Sequence, residues 1–145
     1  MFGIGKRRGP VKIETILAKW SSDGGVPNPG ASSELLAALE ECLGCALPPV
    51  LRALYSAANG MEDGTMDPHL LNVWPIEKIL SKYHVIESGP AQGIGFADVI
   101  MDSWFFLYRR TGEGAVEVVN QSTGKALSPE IFWATYLDRP RTLDL

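Results

Sequence analysis

Apolar positions along the chain switch between two periods, and the clearest helical one lies in the segment SELLAALEECLGCALPPVLRALYSAANG, from Ser33 to Gly60. Leu35, Leu39 and Leu43 recur at four-residue spacing with Leu36 beside them, while Glu40 and Glu41 fall off that stripe. This spacing predicts a helix with one apolar face. Ser32 or Ser33 offers a hydroxyl to the free N–H groups at its start, and Glu34 suits the positive end of the helix dipole. Gly44, which adopts a left-handed conformation cheaply, predicts its end. Leu47 leads into Pro48-Pro49, and proline fits a first helical turn because its missing N–H would find no intrahelical partner there. Leu51, Leu54, Tyr55 and Ala58 form the second stripe, closed by Asn59-Gly60. Helices this short are marginal alone, so they need an apolar floor.

The period-two signal lies downstream. In SWFFLYRR, Trp104, Phe106 and Tyr108 share one face, and Phe105, Leu107 and Arg109 the other. Apolar groups on both faces predict a central strand. Thr111-Gly112-Glu113-Gly114 then predicts a hairpin returning through Ala115–Asn120. Two shorter apolar runs, 70–74 and 94–97, also read as strands, with Asp98–Asp102 as a turn or bulge. Between them, Pro75 opens a short helix running toward Tyr83, and 88–93 is a loop. Gln121–Lys125 is another turn. Ser128-Pro129 starts a last helix, with Ile131, Phe132, Thr135 and Tyr136 at helical spacing and Arg139-Pro140 at its end. Upstream, Val11–Trp20 predicts a helix with Ile13, Ile16, Leu17 and Trp20 on one side. The Ser-, Gly- and Pro-rich stretch 21–31 is a loop.

Helices, a meander of strands and a closing helix imply the α+β class. The expected architecture is an antiparallel or mixed sheet of about four to six strands with helices packed on one face. The chain divides into a flexible basic N-terminal arm with a short helix and loop, residues 1–31, and a single domain, residues 32–145.

The chain's 145 residues suit one core, and 46% hydrophobic and 21% charged residues are ordinary for a globular protein. No apolar run reaches membrane-spanning length, and the opening residues lack the apolar stretch of a secretory signal. Two cysteines fit a reducing compartment, so a cytoplasmic location is the expectation.

The net charge of −4 is unevenly distributed. Lys6, Arg7, Arg8 and Lys12 make the start basic. Between Met61 and Ser103, seven acids (Glu62, Asp63, Asp67, Glu77, Glu87, Asp98 and Asp102) face two lysines, Lys78 and Lys82. This imbalance reads either as solvated loops with a basic tail or, more sharply, as an acidic face that attracts a basic partner. An acidic chain whose basic cluster sits on a Gly-rich terminus gives no sign of nucleic-acid binding.

No catalytic signature emerges. Cys42 and Cys45 have CxxC spacing but fall at a helix C-terminus, where the dipole disfavours a thiolate. His69 and His84 lack the spacing to complete a zinc site. The glycines of Gly3-Ile4-Gly5-Lys6 and Gly93-Ile94-Gly95 lack the remainder of a phosphate loop. Asp98 and Asp102 could form an acid–base pair, but Asp near a strand end more commonly forms a turn. There is no G-x-S-x-G elbow. Trp74 and Trp104 read as core anchors. Neither a metal nor another cofactor is expected.

Three segments in order carry a family likeness: Leu39 and Leu43-Gly44 with Leu47-Pro48, Leu51-Arg52, Leu54-Tyr55 and Asn59-Gly60; then Val73-Trp74-Pro75-Ile76-Glu77-Lys78-Ile79; then Ile94-Gly95-Phe96-Ala97-Asp98 leading into Trp104-Phe105-Phe106-Leu107-Tyr108. Ser128, Phe132 and Thr135-Tyr136-Leu137 agree as a closing helix. Together they resemble the Smi/Knr-type domain of the SUKH superfamily over residues 33–137. The basic N-terminal segment is additional, and Ala97 stands where a second small residue, often glycine, is expected. The resemblance implies a non-enzymatic α+β domain. Bacterial relatives include immunity proteins that neutralise a nuclease or deaminase toxin, and fungal relatives include regulators of cell-wall assembly. The expectation is a binding module for a cognate toxin or another protein partner, engaging neither nucleic acid nor membrane. Glu62, Asp63, Asp67, Asp98 and Asp102 are its partner-binding residues. The alternatives are a regulatory domain that binds a small molecule or peptide between the helices and the aromatic strand, and a hydrolase using Asp98 and Asp102.

Overall fold

A computed structural model of the protein describes residues 10–82 and 93–145. Along the chain run helices α1 (Ile13–Ser21), α2 (Ser33–Leu43) and α3 (Pro49–Ala57), strand β1 (Leu71–Val73), and helix α4 (Ile76–Lys82). Strands β2 (Ile94–Val99), β3 (Trp104–Arg110), β4 (Val116–Asn120) and β5 (Ala126–Leu127) follow, then helix α5 (Pro129–Asp138) and a 3-10 turn, Pro140–Leu143. Among the described residues the strands form one five-stranded sheet in the order β1-β2-β3-β4-β5. Every pairing is antiparallel. The fold is therefore α+β with a purely antiparallel sheet, and β3 is the central strand, as its two apolar faces predict.

The helix ends follow their local chemistry. Ser32 Oγ accepts the Leu35 N–H at 3.2 Å, and Gly44 ends α2 with φ +79°. Ser128 Oγ accepts the Ile131 N–H at 3.2 Å at the start of α5. Gly60 combines φ +67° with a close backbone approach: a Cβ there would come within 2.4 Å of the Trp74 carbonyl carbon. A side chain at this position would push the end of the helix pair away from the strand that supports it.

The core is an aromatic seam between the sheet and α5. A register shift between Gly95 and Ala97 brings Phe96 to the helix side of the sheet, where it stacks flat on Tyr108 with ring centroids 3.9 Å apart. Phe132 meets Phe106 edge-on at 5.1 Å, and Trp133 meets Trp20 at 6.1 Å. The Tyr55 and Tyr108 hydroxyls share a hydrogen bond of 2.8 Å inside this seam. Burial pushes the pKa of both phenols above the ordinary range, so the pair stays neutral.

Several expectations need correction. The α2 stripe that reaches the core is Leu36, Leu39 and Leu43, and Leu35 is only partly buried. In α5 the buried set includes Trp133, whereas Ile131 is 53% exposed. Asp98 lies within β2, and the turn that follows begins at Ile100. The α1 helix, set apart with the N-terminal arm, belongs to the same core, because Ile16 and Trp20 are fully buried in it. Its Lys19 Nζ also donates to the Tyr136 carbonyl. The basic cluster Lys6–Arg8, Tyr83, His84, Glu87 and most of the loop 88–93 lie outside the described residues.

Candidate functional site

The chemistry-bearing side chains gather where β1 and β2 meet α4. Asn72 pairs with Asp98 across the two strands, and Trp74 follows β1 directly. The Trp74 indole N–H donates to Asp98 Oδ2 at 2.6 Å. The Asp102 N–H reaches Asp98 Oδ1 at 3.4 Å. From α4, Lys78 Nζ lies 4.8 Å from the centre of the Trp74 ring and donates to Asp63 Oδ1 at 3.1 Å. Phe105 packs edge-on against Trp74 at 6.0 Å. Desolvation is the main influence on the Asp98 carboxyl and raises its pKa above the ordinary value of 3.8. The Trp74 N–H opposes that rise, the Asp102 charge adds to it while the Asp102 N–H opposes it, and Lys78 is a smaller opposing charge.

Beside this cluster the backbone is strained. Ile100, Met101 and Asp102 all have positive φ, at 51°, 51° and 73°. Three consecutive left-handed residues without a glycine are costly, about 1–2 kcal/mol each, and isoleucine is among the worst choices because of its branched Cβ. The tertiary context holds them: the Ile100 N–H donates to the Leu70 carbonyl at 3.0 Å, the Ser103 N–H to the Val99 carbonyl at 3.0 Å, and Ser103 Oγ to the Ile100 carbonyl at 2.9 Å. Leu70 is itself left-handed, with φ 64°. Strain places apolar side chains outward: Met101 is 72% exposed, Ile100 45% and Leu70 43%.

The five acids proposed from the sequence divide in two. Asp63 and Asp102 are exposed and flank the Trp74–Asp98 cluster, and Glu62 is exposed next to Asp63. Asp98 belongs to the cluster but is only 5% exposed, and both its oxygens accept hydrogen bonds from the fold. Asp67 is 2% exposed and lies apart. Its Oδ1 accepts the N–H groups of His69 and Leu71, and its Oδ2 accepts the Tyr136 hydroxyl. Asp67 and Asp98 are therefore internal acceptors and cannot meet a partner through a free carboxylate. Sequence reasoning missed Leu70, Ile100 and Met101. The available signal was an apolar pair, Ile100-Met101, placed where a turn between two strands calls for polar residues.

For acid–base chemistry, Asp98 would need an oxygen open to a substrate, and each of its two already has a protein donor. Cys42 and Cys45 are free thiols, and burial pushes the Cys42 pKa upward, away from a reactive thiolate. Among the described residues no helix is long and apolar enough to cross a membrane. The site thus offers a rigid aromatic and acidic base with a projecting apolar edge, a combination suited to holding a surface. In comparison with known proteins, the model of the SMI1 / KNR4 family (SUKH-1) matches residues 30–142. A search of curated proteins finds no match.

Proposed function

The chain belongs to the SMI1 / KNR4 family (SUKH-1), whose members are protein-binding modules, and from that premise we propose that it is an immunity protein. It binds a cognate toxin of the nuclease or deaminase class in the cytoplasm and blocks the toxin's active site or substrate groove. The observation that carries this reading is the strained edge formed by Leu70, Ile100 and Met101, set among Glu62, Asp63 and Asp102. A preformed apolar edge needs little ordering on binding, so less of the contact energy is lost. The acids around it suit a toxin surface that is basic where it meets phosphates, and they accelerate encounter at low salt.

The proposal predicts that a neighbouring reading frame encodes a toxic domain, and co-expression of that domain with this chain tests it. The chain should restore growth, and Ile100→Asp with Met101→Asp should remove that protection while the circular dichroism spectrum stays native. Reversing Glu62, Asp63 and Asp102 to lysine should slow association at low salt. Protection that survives the Ile100 and Met101 changes would show that the toxin is held elsewhere.

A further inference from the structure

Where the loop before α2 meets the start of α4 lies an open groove of about 610 Å³. Pro29, Leu35 and Pro75 give it apolar walls, and Asn28, Asn59 and Glu77 give it polar ones. The loop wall is fastened to the end of α3 by backbone hydrogen bonds. The Asn28 N–H donates to the Gly60 carbonyl at 3.0 Å, the Asn59 N–H to the Pro29 carbonyl at 3.0 Å, and the Ala31 N–H to the Tyr55 carbonyl at 2.8 Å. Asn59, only 7% exposed, orients the polar groups. Its Oδ1 accepts the Ile76 N–H at 2.8 Å, which commits Nδ2 as a donor, and Nδ2 donates to Glu77 Oε1 at 2.8 Å. The Asn59 carbonyl accepts Asn28 Nδ2 at 3.0 Å, which commits Asn28 Oδ1 as an acceptor. Among the described residues that oxygen has no donor, and it is open to solvent. Glu77 is exposed, and its second oxygen has no donor either. The adjacent Lys78 pairs with Asp63, and among the described residues no lysine or arginine pairs with Glu77.

We propose that this groove receives an arginine side chain of a partner protein. Both unmet polar groups are acceptors and one is a carboxylate, so the groove calls for a cation with several donors. A guanidinium supplies five N–H donors in one plane and can serve acceptors on two residues, while its aliphatic stem lies against Pro29, Leu35 and Pro75. An anion would meet a carboxylate with no cation to offset it. A neutral ligand would displace water from that carboxylate and return no charge. Two features distinguish Glu77 from an ordinary surface acid. Asn59 already holds its carboxylate, which lowers the side-chain entropy lost on pairing, and the pinned loop leaves the groove formed before binding. The groove shares no residue with the edge formed by Leu70, Ile100 and Met101 and does not rest on the toxin-binding reading.

The probes are three capped tripeptides, acetyl-Gly-X-Gly-amide, with arginine, lysine or citrulline at X. Citrulline keeps the shape of arginine without its charge. Titrated into the full chain and followed by NMR, the arginine peptide should move the Glu77 carboxyl carbon and the side-chain amide signals of Asn28 and Asn59. It should bind about tenfold more tightly than the citrulline peptide, the value of a charge-assisted hydrogen bond over a neutral one, with the lysine peptide between them. Glu77→Gln keeps an acceptor for Asn59 Nδ2 and removes the charge, so it should erase the difference between arginine and citrulline. Equal binding of the arginine peptide and either control would overturn the assignment. So would shifts at Glu62, Asp63 or Asp102 as large as those at Glu77, which would show a general attraction to acids. The comparison of peptides on the unaltered chain decides the question even if Glu77→Gln fails to fold.

Discussion

Asp67 and Asp98 are two buried acids in very different company. Asp67 is closed in by Tyr136 from α5 and by two backbone N–H groups at the entry to β1. Around it the aromatic rings pack continuously, with Trp133 against Tyr136 at 5.2 Å and His69 against the same ring at 6.3 Å. Asp98 holds the Trp74 indole and the Asp102 N–H, but it does so at the border of an exposed, left-handed turn. Asp67 thus ties the strand entry to the last helix, while Asp98 supports a strained edge that projects toward solvent. Counting acids along the chain cannot distinguish these uses. Two of the acids are consumed by internal donors, while Glu62, Asp63 and Asp102 stay exposed.

The strongest way to break this comparison is to remove Asp67. Asp67→Ala leaves the Tyr136 hydroxyl and two N–H groups without their acceptor, and it should cost about 3 kcal/mol by urea denaturation. A loss below about 1 kcal/mol would mean that Asp67 is as dispensable as a surface acid.

A smaller effect sharpens the other half. Because burial raises the Asp98 pKa in the folded protein, the native state holds that proton more tightly than the unfolded chain does. Its contribution to stability is therefore complete below the ordinary carboxylate value of 3.8 and is lost as pH rises through the raised value. Asp98→Asn should flatten that part of the stability profile. An unchanged slope would place the titration elsewhere.

The smallest expected change is in the turn. Ile100→Gly relieves the left-handed strain but adds chain entropy to the unfolded state, and the net gain should be about 0.5–1 kcal/mol in a thermal melt. The same variant should weaken the toxin binding proposed above, since the edge loses both its side chain and its rigidity. Stabilisation without weaker binding would separate the strain from function.

Much of the fold was legible in the sequence because local signals agreed with the final packing. Ser32, Gly44, Pro49 and Ser128 mark helix ends through hydrogen bonds and φ preferences that need no distant partner. The alternation in 104–110 identified the central strand because two buried faces leave a two-sided apolar pattern. The errors have a common physical origin. The weak β5 strand, two residues long, carries no periodic signal. Ile131 and Trp133 lie two residues apart on α5 and so point to opposite sides of the helix, and which side turns inward depends on where Trp20 lies. The acidic site was legible as composition but not as geometry, for the acids read as one face include two that the core consumes.

By itself, then, the sequence determined the class of fold, the helix pair and its stops, the central aromatic strand, and the excess of acids after Gly60. These depend on backbone chemistry and periodicity over a few residues. Only the tertiary structure decided that Asp67 belongs to Tyr136, that Asp98 belongs to Trp74, and that Ile100 and Met101 are forced outward. Each of those outcomes depends on a partner many residues away or on how separate elements close around one side chain, and hydrogen-bond satisfaction and exclusion of water can be judged only once the chain has closed on itself.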